Sequence, residues 1–147
     1  MQDTSSGTKT THPLERTLAI AGTVICLFIT ALLWGSISLN QGMWPLPGLY
    51  FIEMAALSVV CAFLAFMDVH PGRQLIIWAA VGIFIGFSIL GALSVGFFYL
   101  PVAIIFGVLA VLFDVRNKQK IALHLGVCLI AGIVQVLLIL LAAHLLF

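Results

Sequence analysis

Charge is what this sequence has least of. From Leu75 to Phe113 it runs for 39 residues without an Asp, Glu, Lys, Arg or His. Over the whole chain 7% of residues are charged, against about 25% in ordinary soluble domains. That shortage excludes a conventional water-soluble fold, whose surface has to be polar. With 63% of its residues apolar, the chain belongs with polytopic membrane proteins. Nucleic acid is excluded as a partner, since no basic patch exists to meet phosphates. Cysteine is scarce too. Cys26, Cys61 and Cys128 are an odd set that cannot form a fully paired internal disulfide framework. Each lies in an apolar run, where a thiol behaves as a small hydrophobe. The patterns that chemistry needs are also missing: no nucleophile motif, phosphate-cradling glycine loop or paired carboxylates, and no H-x-x-x-H or C-x-x-C spacing. Neither catalysis nor a metal or other cofactor is expected.

What is present is hydrophobic length. As one helix, Leu75 to Phe113 would be ~58 Å long, whereas a bilayer's hydrocarbon core is about 30 Å thick. The run therefore turns back once. The place that offers a turn is Ser94 to Pro101, where a Gly and a Pro flank an aromatic cluster. This sets the expected fold class: an all-α membrane protein with five transmembrane helices, at about 17–39, 47–67, 74–95, 100–113 and 121–147. The domain organisation is a polar, disordered tail over 1–12 followed by a single transmembrane domain over 13–147. Pro13 suits the first turn of a helix, and Glu15 behind it faces the positive end of the helix dipole. The first span is expected to be retained, because its apolar stretch exceeds the roughly 7 to 15 residues of a signal-peptide core. At fourteen residues the fourth span would give only ~21 Å of helix. Local thinning, tilt or an interfacial position for Phe97, Phe98 and Tyr99 would have to make up the rest.

The few charges are placed unevenly. All six Lys and Arg residues fall in the N-terminal segment (Lys9, Arg16), after span two (Arg73) and after span four (Arg116, Lys118, Lys120). With five spans these three places share one side, and the connectors near Asn40–Pro47 and Ser94–Leu100 carry no charge on the other. Cations accumulate on the cytoplasmic face. Arg16, Arg73, Arg116, Lys118 and Lys120 are thus cytoplasmic topology anchors, with the N-terminus inside and the C-terminus outside. Asp68 with Arg73 and Asp114 with Arg116 would form ion pairs at the inner surface. The expected location is a cell membrane, bacterial in character. A weak internal repeat runs through the same parsing: Gly35-Ser36-Ile37-Ser38 is echoed by Gly91-Ala92-Leu93-Ser94, and Gly42 to Pro47 by Gly96 to Pro101. Two parallel helical hairpins plus a fifth helix is the architecture that this implies.

Few polar residues lie inside the spans. Glu53 is the one formally charged residue there, ~9 Å along the helix from Pro47. An ionisable group in a membrane helix is by default a candidate ion, proton or substrate contact. So near the outer end, it also suits the positive helix N-terminus and a polar outer vestibule. Gln135, the single amide in the middle of the fifth span, would seek an interhelical hydrogen bond, with Ser58, Ser88 or Thr30 as partners. Gly82 and Gly86 form a G-x-x-x-G that lets another helix approach closely, within the bundle rather than between copies. His124 and His144 lie near opposite interfaces and cannot share a metal. The function that these residues support is that of a small non-enzymatic integral membrane protein, an accessory, assembly or structural subunit acting through helix packing. Its partners would be the lipid bilayer and either a second copy or another membrane protein. The alternative is a small oligomeric transporter or channel that uses Glu53. The topology is checked by single-cysteine labelling from each side of the membrane: Gly42→Cys should react from the exterior and Lys118→Cys from the cytoplasm, and an exterior position 118 would end the five-span arrangement.

Overall fold

The computed structural model describes residues 13–40, 46–67, 72–91, 95–117 and 121–146. The expected disordered tail, the connector around Trp44, the 68–71 part of the Pro-Gly turn, and Lys118 and Lys120 lie outside these residues. The protein is an all-α membrane protein. Among the described residues it has five helices, α1 (Pro13–Asn40), α2 (Leu46–Phe66), α3 (Arg73–Leu90), α4 (Leu100–Asn117) and α5 (Ile121–Leu146), with a short 3-10 turn at Gly96–Tyr99 ahead of α4. Among the described residues there is no strand, and all five helices are long and apolar enough to cross a membrane.

The hairpin in the charge-free run turns earlier than expected. α3 stops at Leu90 rather than near Val95, because Gly91 ends it: its N–H donates to Phe87 O at 2.9 Å, and the Gly96 N–H donates to Gly91 O at 2.9 Å. The two glycines touch. A Cβ added to Gly91 would lie 2.5 Å from Gly96 Cα, and one on Gly96 would lie 2.5 Å from Phe87 O. No side chain fits at either place. The early turn leaves more chain for the return. α4 runs on to Asn117, and with the 3-10 turn it makes a span of 21 residues, Gly96–Arg116. That reaches about 31 Å at helical rise, so the fourth crossing needs no thinned bilayer. The likeness of Gly35 to Gly91 does not carry over to geometry. Gly35, the counterpart of Gly91, lies inside α1, and nothing would come within 4 Å of a Cβ there.

α3 is the centre of the bundle. It packs on α5, α4, the 3-10 turn and α2, while α1 packs on α2 and α4. Of α3's spanning window 56% is buried, against 11% for α5, which lies at the edge. Lipid tails are as apolar as Leu, so burying Leu and Ile against each other gives no hydrophobic gain. Close van der Waals packing and interhelical hydrogen bonds have to hold the helices together. Aromatic rings fill the centre. Phe84 of α3 stacks on Phe106 of α4 at 5.7 Å, and Phe87 meets the edge of Tyr99 at 5.5 Å. The Tyr99 hydroxyl is 2.9 Å from that of Thr30 on α1.

The α3/α5 contact is closer still. A Cβ on Gly82 would collide with the Cys128 carbonyl, one on Gly86 would lie 2.8 Å from Gly132 O, and one on Gly132 would lie 3.0 Å from Gly82 O. The two backbones meet through Gly82, Gly86 and Gly132. Since α3 and α5 each start at the end that carries Arg73 and Arg116, they run parallel. We expect Gly86→Leu to push α5 away and cost about 1–3 kcal/mol, the range for overpacking a tight contact. Gly35→Leu should leave stability unchanged, and thermal melts of the two variants in the same detergent check this.

Candidate functional site

The ionisable groups gather at two levels of the bundle. At the basic end, the end of α4 carries Asp114, which is expected at the sequence level to lie in a surface loop beside Arg116. The structure corrects this. α4 continues past it, and Asp114 faces inward with no exposed surface at all. Trp78 Nε1, five residues further along α3 than Arg73, donates to Asp114 Oδ2 at 2.8 Å, and Nδ1 of His124 lies 2.7 Å from the same oxygen. A proton is held on that short N···O line, whichever group owns it. The result ties three helices at one atom, α3 and α5 both held by α4. The other oxygen, Oδ1, is buried without a hydrogen-bond partner among the described residues. His124 keeps 6% of its side chain exposed and Asp114 none, so the pair reaches its surroundings only through the imidazole.

Arg116 pairs with Glu15 of α1 rather than with Asp114. Its guanidinium nitrogen is 3.1 Å from both carboxylate oxygens. Glu15, expected to serve the helix dipole alone, is therefore also an α1–α4 tie with 4% of its side chain exposed. Arg73 donates to Met67 O at 2.7 Å and lies 4.1 Å from the centre of the Phe113 ring, and Arg16 lies 5.6 Å from the centre of the Phe66 ring. The three described arginines thus meet at one end of the bundle, each against a neighbouring helix.

The second level lies further along. Gln135 is buried on α5 and donates from Nε2 to Glu53 Oε2 on α2 at 3.1 Å. Its partner is the one carboxylate of the far half, not Ser58, Ser88 or Thr30. Two of those hydroxyls are engaged otherwise, Ser58 donating to Ala55 O and Thr30 meeting Tyr99, while Ser88 Oγ is buried with no partner among the described residues. Glu53 is half-buried, and among the described residues no cation pairs with it. The two levels are not a membrane thickness apart. Gln135 is eleven residues beyond His124, about 16 Å of helix rise. Between them lies the glycine contact of Gly82 and Gly86 with Cys128 and Gly132.

No protein family, curated protein or solved structure matches this chain.

What the two levels can do follows from their own chemistry. Among the described residues no three His, Cys, Asp or Glu side chains gather closely enough to hold a metal ion. Cys26, Cys61 and Cys128 are free and buried, and Cys26 Sγ rests 3.5 Å from Met54 O. The Trp78–Asp114–His124 group escapes a sequence reading because its members lie on three different helices. Its one visible signal is an acid at the end of an apolar run, followed ten residues later by a His that would otherwise be expensive in hydrocarbon. Breaking a buried pair leaves the other charge uncompensated, at a cost of about 3–5 kcal/mol. Accordingly His124→Leu should destabilise the protein more than the double change Asp114→Leu with His124→Leu, and equilibrium unfolding in mixed micelles measures the difference.

Proposed function

We propose that the chain is a non-enzymatic accessory, assembly or structural subunit of a cell membrane, which acts through helix packing. The observation that carries this reading is the position of α5. It is held along one side by α3 and tied at two levels, by His124 and by Gln135. The rest of its length is apolar and exposed, Leu129, Ile133 and Leu137 included. Together with Gly82 and Gly86 of α3 these residues line an open, apolar groove of about 390 Å³. Such a rigid, shaped surface at membrane depth suits packing against another helix, which gains from close van der Waals fit where no hydrophobic drive exists. Glu15, Glu53, Asp114, Arg116 and His124 are each taken up in a tie between helices, which supports a scaffold over a catalyst. The cations at the other side of the ties would face the cytoplasm, by the same charge rule as before.

A second reading, a small transporter or channel, is favoured by one feature. Glu53 is half-buried with a neutral amide as its described partner, and carboxylates in membrane helices mark ion or substrate paths. One experiment separates the two readings. A photo-crosslinking residue in place of Leu129 should capture a protein partner in intact membranes, whereas one in place of Val59 on α2 should not. A protein that crosslinks only to lipid at both places, yet drives a solute flux that Glu53→Gln abolishes in proteoliposomes, would replace the subunit reading with the transporter.

A further inference from the structure

One turn beyond the Glu53–Gln135 bond, toward the uncharged end, lies a cavity of about 190 Å³ between α2, α3 and α5. Tyr50 stands three residues before Glu53 and Ile139 four after Gln135, so both lining residues share a helix face with the hydrogen-bonded pair. Phe51, Phe87, Leu90, Gly91 and Val95 complete the wall. Two of its rings, Tyr50 and Phe87, pack side by side with centroids 5.8 Å apart and planes at 44°. They are set in advance. Phe87 is braced by the edge of Tyr99, and Tyr99 by the hydroxyl of Thr30 on α1.

We propose that this cavity, walled by Tyr50 and Phe87 and one helical turn from the Glu53 carboxylate, binds a small organic ammonium ion. Three features point to that chemistry. Aromatic faces attract ammonium groups at up to about 6 Å, and pairs of rings around a quaternary nitrogen are a common way to bind one. The carboxylate supplies the opposite charge without a protein cation to neutralise it: the described arginines lie at the other end of the bundle, and His144, nine residues past Gln135 on α5, is the only basic residue described at this end. In a site flanked by hydrocarbon that charge acts over more than contact distance. The size sets the class. Pockets for drug-sized ligands run to about 300–1,000 Å³, so this one holds an ammonium head with short alkyl arms, while any longer tail passes Leu90, exposed at the rim, into the bilayer. An anion is repelled, and a neutral isostere keeps the packing but forfeits the charge.

The site gives the Glu53 reading a ligand class but asks only for binding, so it holds for a protein that transports nothing. The test is binding of radiolabelled choline to the purified chain in maltoside, with 3,3-dimethylbutanol, its uncharged isostere, as competitor. Glu53→Gln is the informative variant, because glutamine at 53 still accepts the Gln135 hydrogen bond and leaves the α2–α5 tie in place, which an unchanged melting temperature checks. We expect Glu53→Gln to weaken choline binding by about tenfold or more, equivalent to ~1.4 kcal/mol, Phe87→Leu to weaken it as well, and the isostere not to compete. Equal choline binding by wild type and Glu53→Gln, or full competition by the isostere, would overturn the proposal. Nanodiscs identify the source of the ammonium. Choline binding that persists in phosphatidylglycerol discs and disappears in phosphatidylcholine discs assigns the site to a lipid headgroup, and binding that persists in both assigns it to a free ammonium compound.

Discussion

The backbone contact between α3 and α5 is the constraint on which the other interactions depend. In water two apolar helices associate by removing surface from solvent; in a bilayer they exchange lipid contacts for protein contacts and gain only what closer fit allows. Glycine at 82, 86 and 132 permits the closest fit available, carbonyl against Cα. Because both helices are rigid and parallel, that contact also fixes their register. A constant offset of 46 residues sets Gly82 opposite Cys128 and Gly86 opposite Gly132, and the same offset brings Trp78 level with His124. One Asp114 oxygen can then meet both. Continued outward, the register leaves Gln135 just past the glycine contact, aimed across α3 toward Glu53. Two polar ties at two depths thus follow from one packing choice.

The ties do for α5 what packing on several sides, with the Trp78 bond to Asp114, does for α3. α3 is enclosed on several sides, whereas α5 has one helix beside it and an open face. A helix held by a single seam can roll about that seam. Hydrogen bonds at two levels, one to α4 and one to α2, remove the roll, because no rotation preserves both. Measured interhelical hydrogen bonds in membranes are individually modest, commonly under about 2 kcal/mol. Their role here is orientation more than attraction.

How far the sequence shows this depends on what each feature needs. The five crossings, the position of the cations at one end and the close-packing role open to Gly82 and Gly86 are visible because length, charge and a four-residue spacing are local properties. The turn is off by several residues because two glycines compete for it, Gly91 and Gly96. Which one stops α3 is decided by their contact with each other, which a reading along the chain does not contain. The pairings are misassigned for the same reason. Arg116 is only two residues from Asp114 in sequence, but residues two apart on a helix are rotated about 200° from each other, so one goes to Glu15 and the other into the core. Gln135 meets Glu53 over 82 residues of chain, a distance that only the α3/α5 register bridges.

That register also limits what the two carboxylates can do together. An ion or proton relay needs polar groups or water at short intervals, and Asp114 and Glu53 are the natural stations for one. The direct route between their levels follows the α3/α5 seam for about 16 Å, where backbone meets backbone and the flanking side chains are Ile85, Leu125, Leu129 and Ile133. Water does not enter so close a contact, and the carbonyls in it already serve the helices. The other side of α3 is no more open, being filled by Phe84 against Phe106. A path would require α5 to leave α3, and leaving breaks the bonds of His124 and Gln135 at once. The two levels are therefore independent. The basic end is a buried joint between α3, α4 and α5, and the level of Glu53 is the more open of the two.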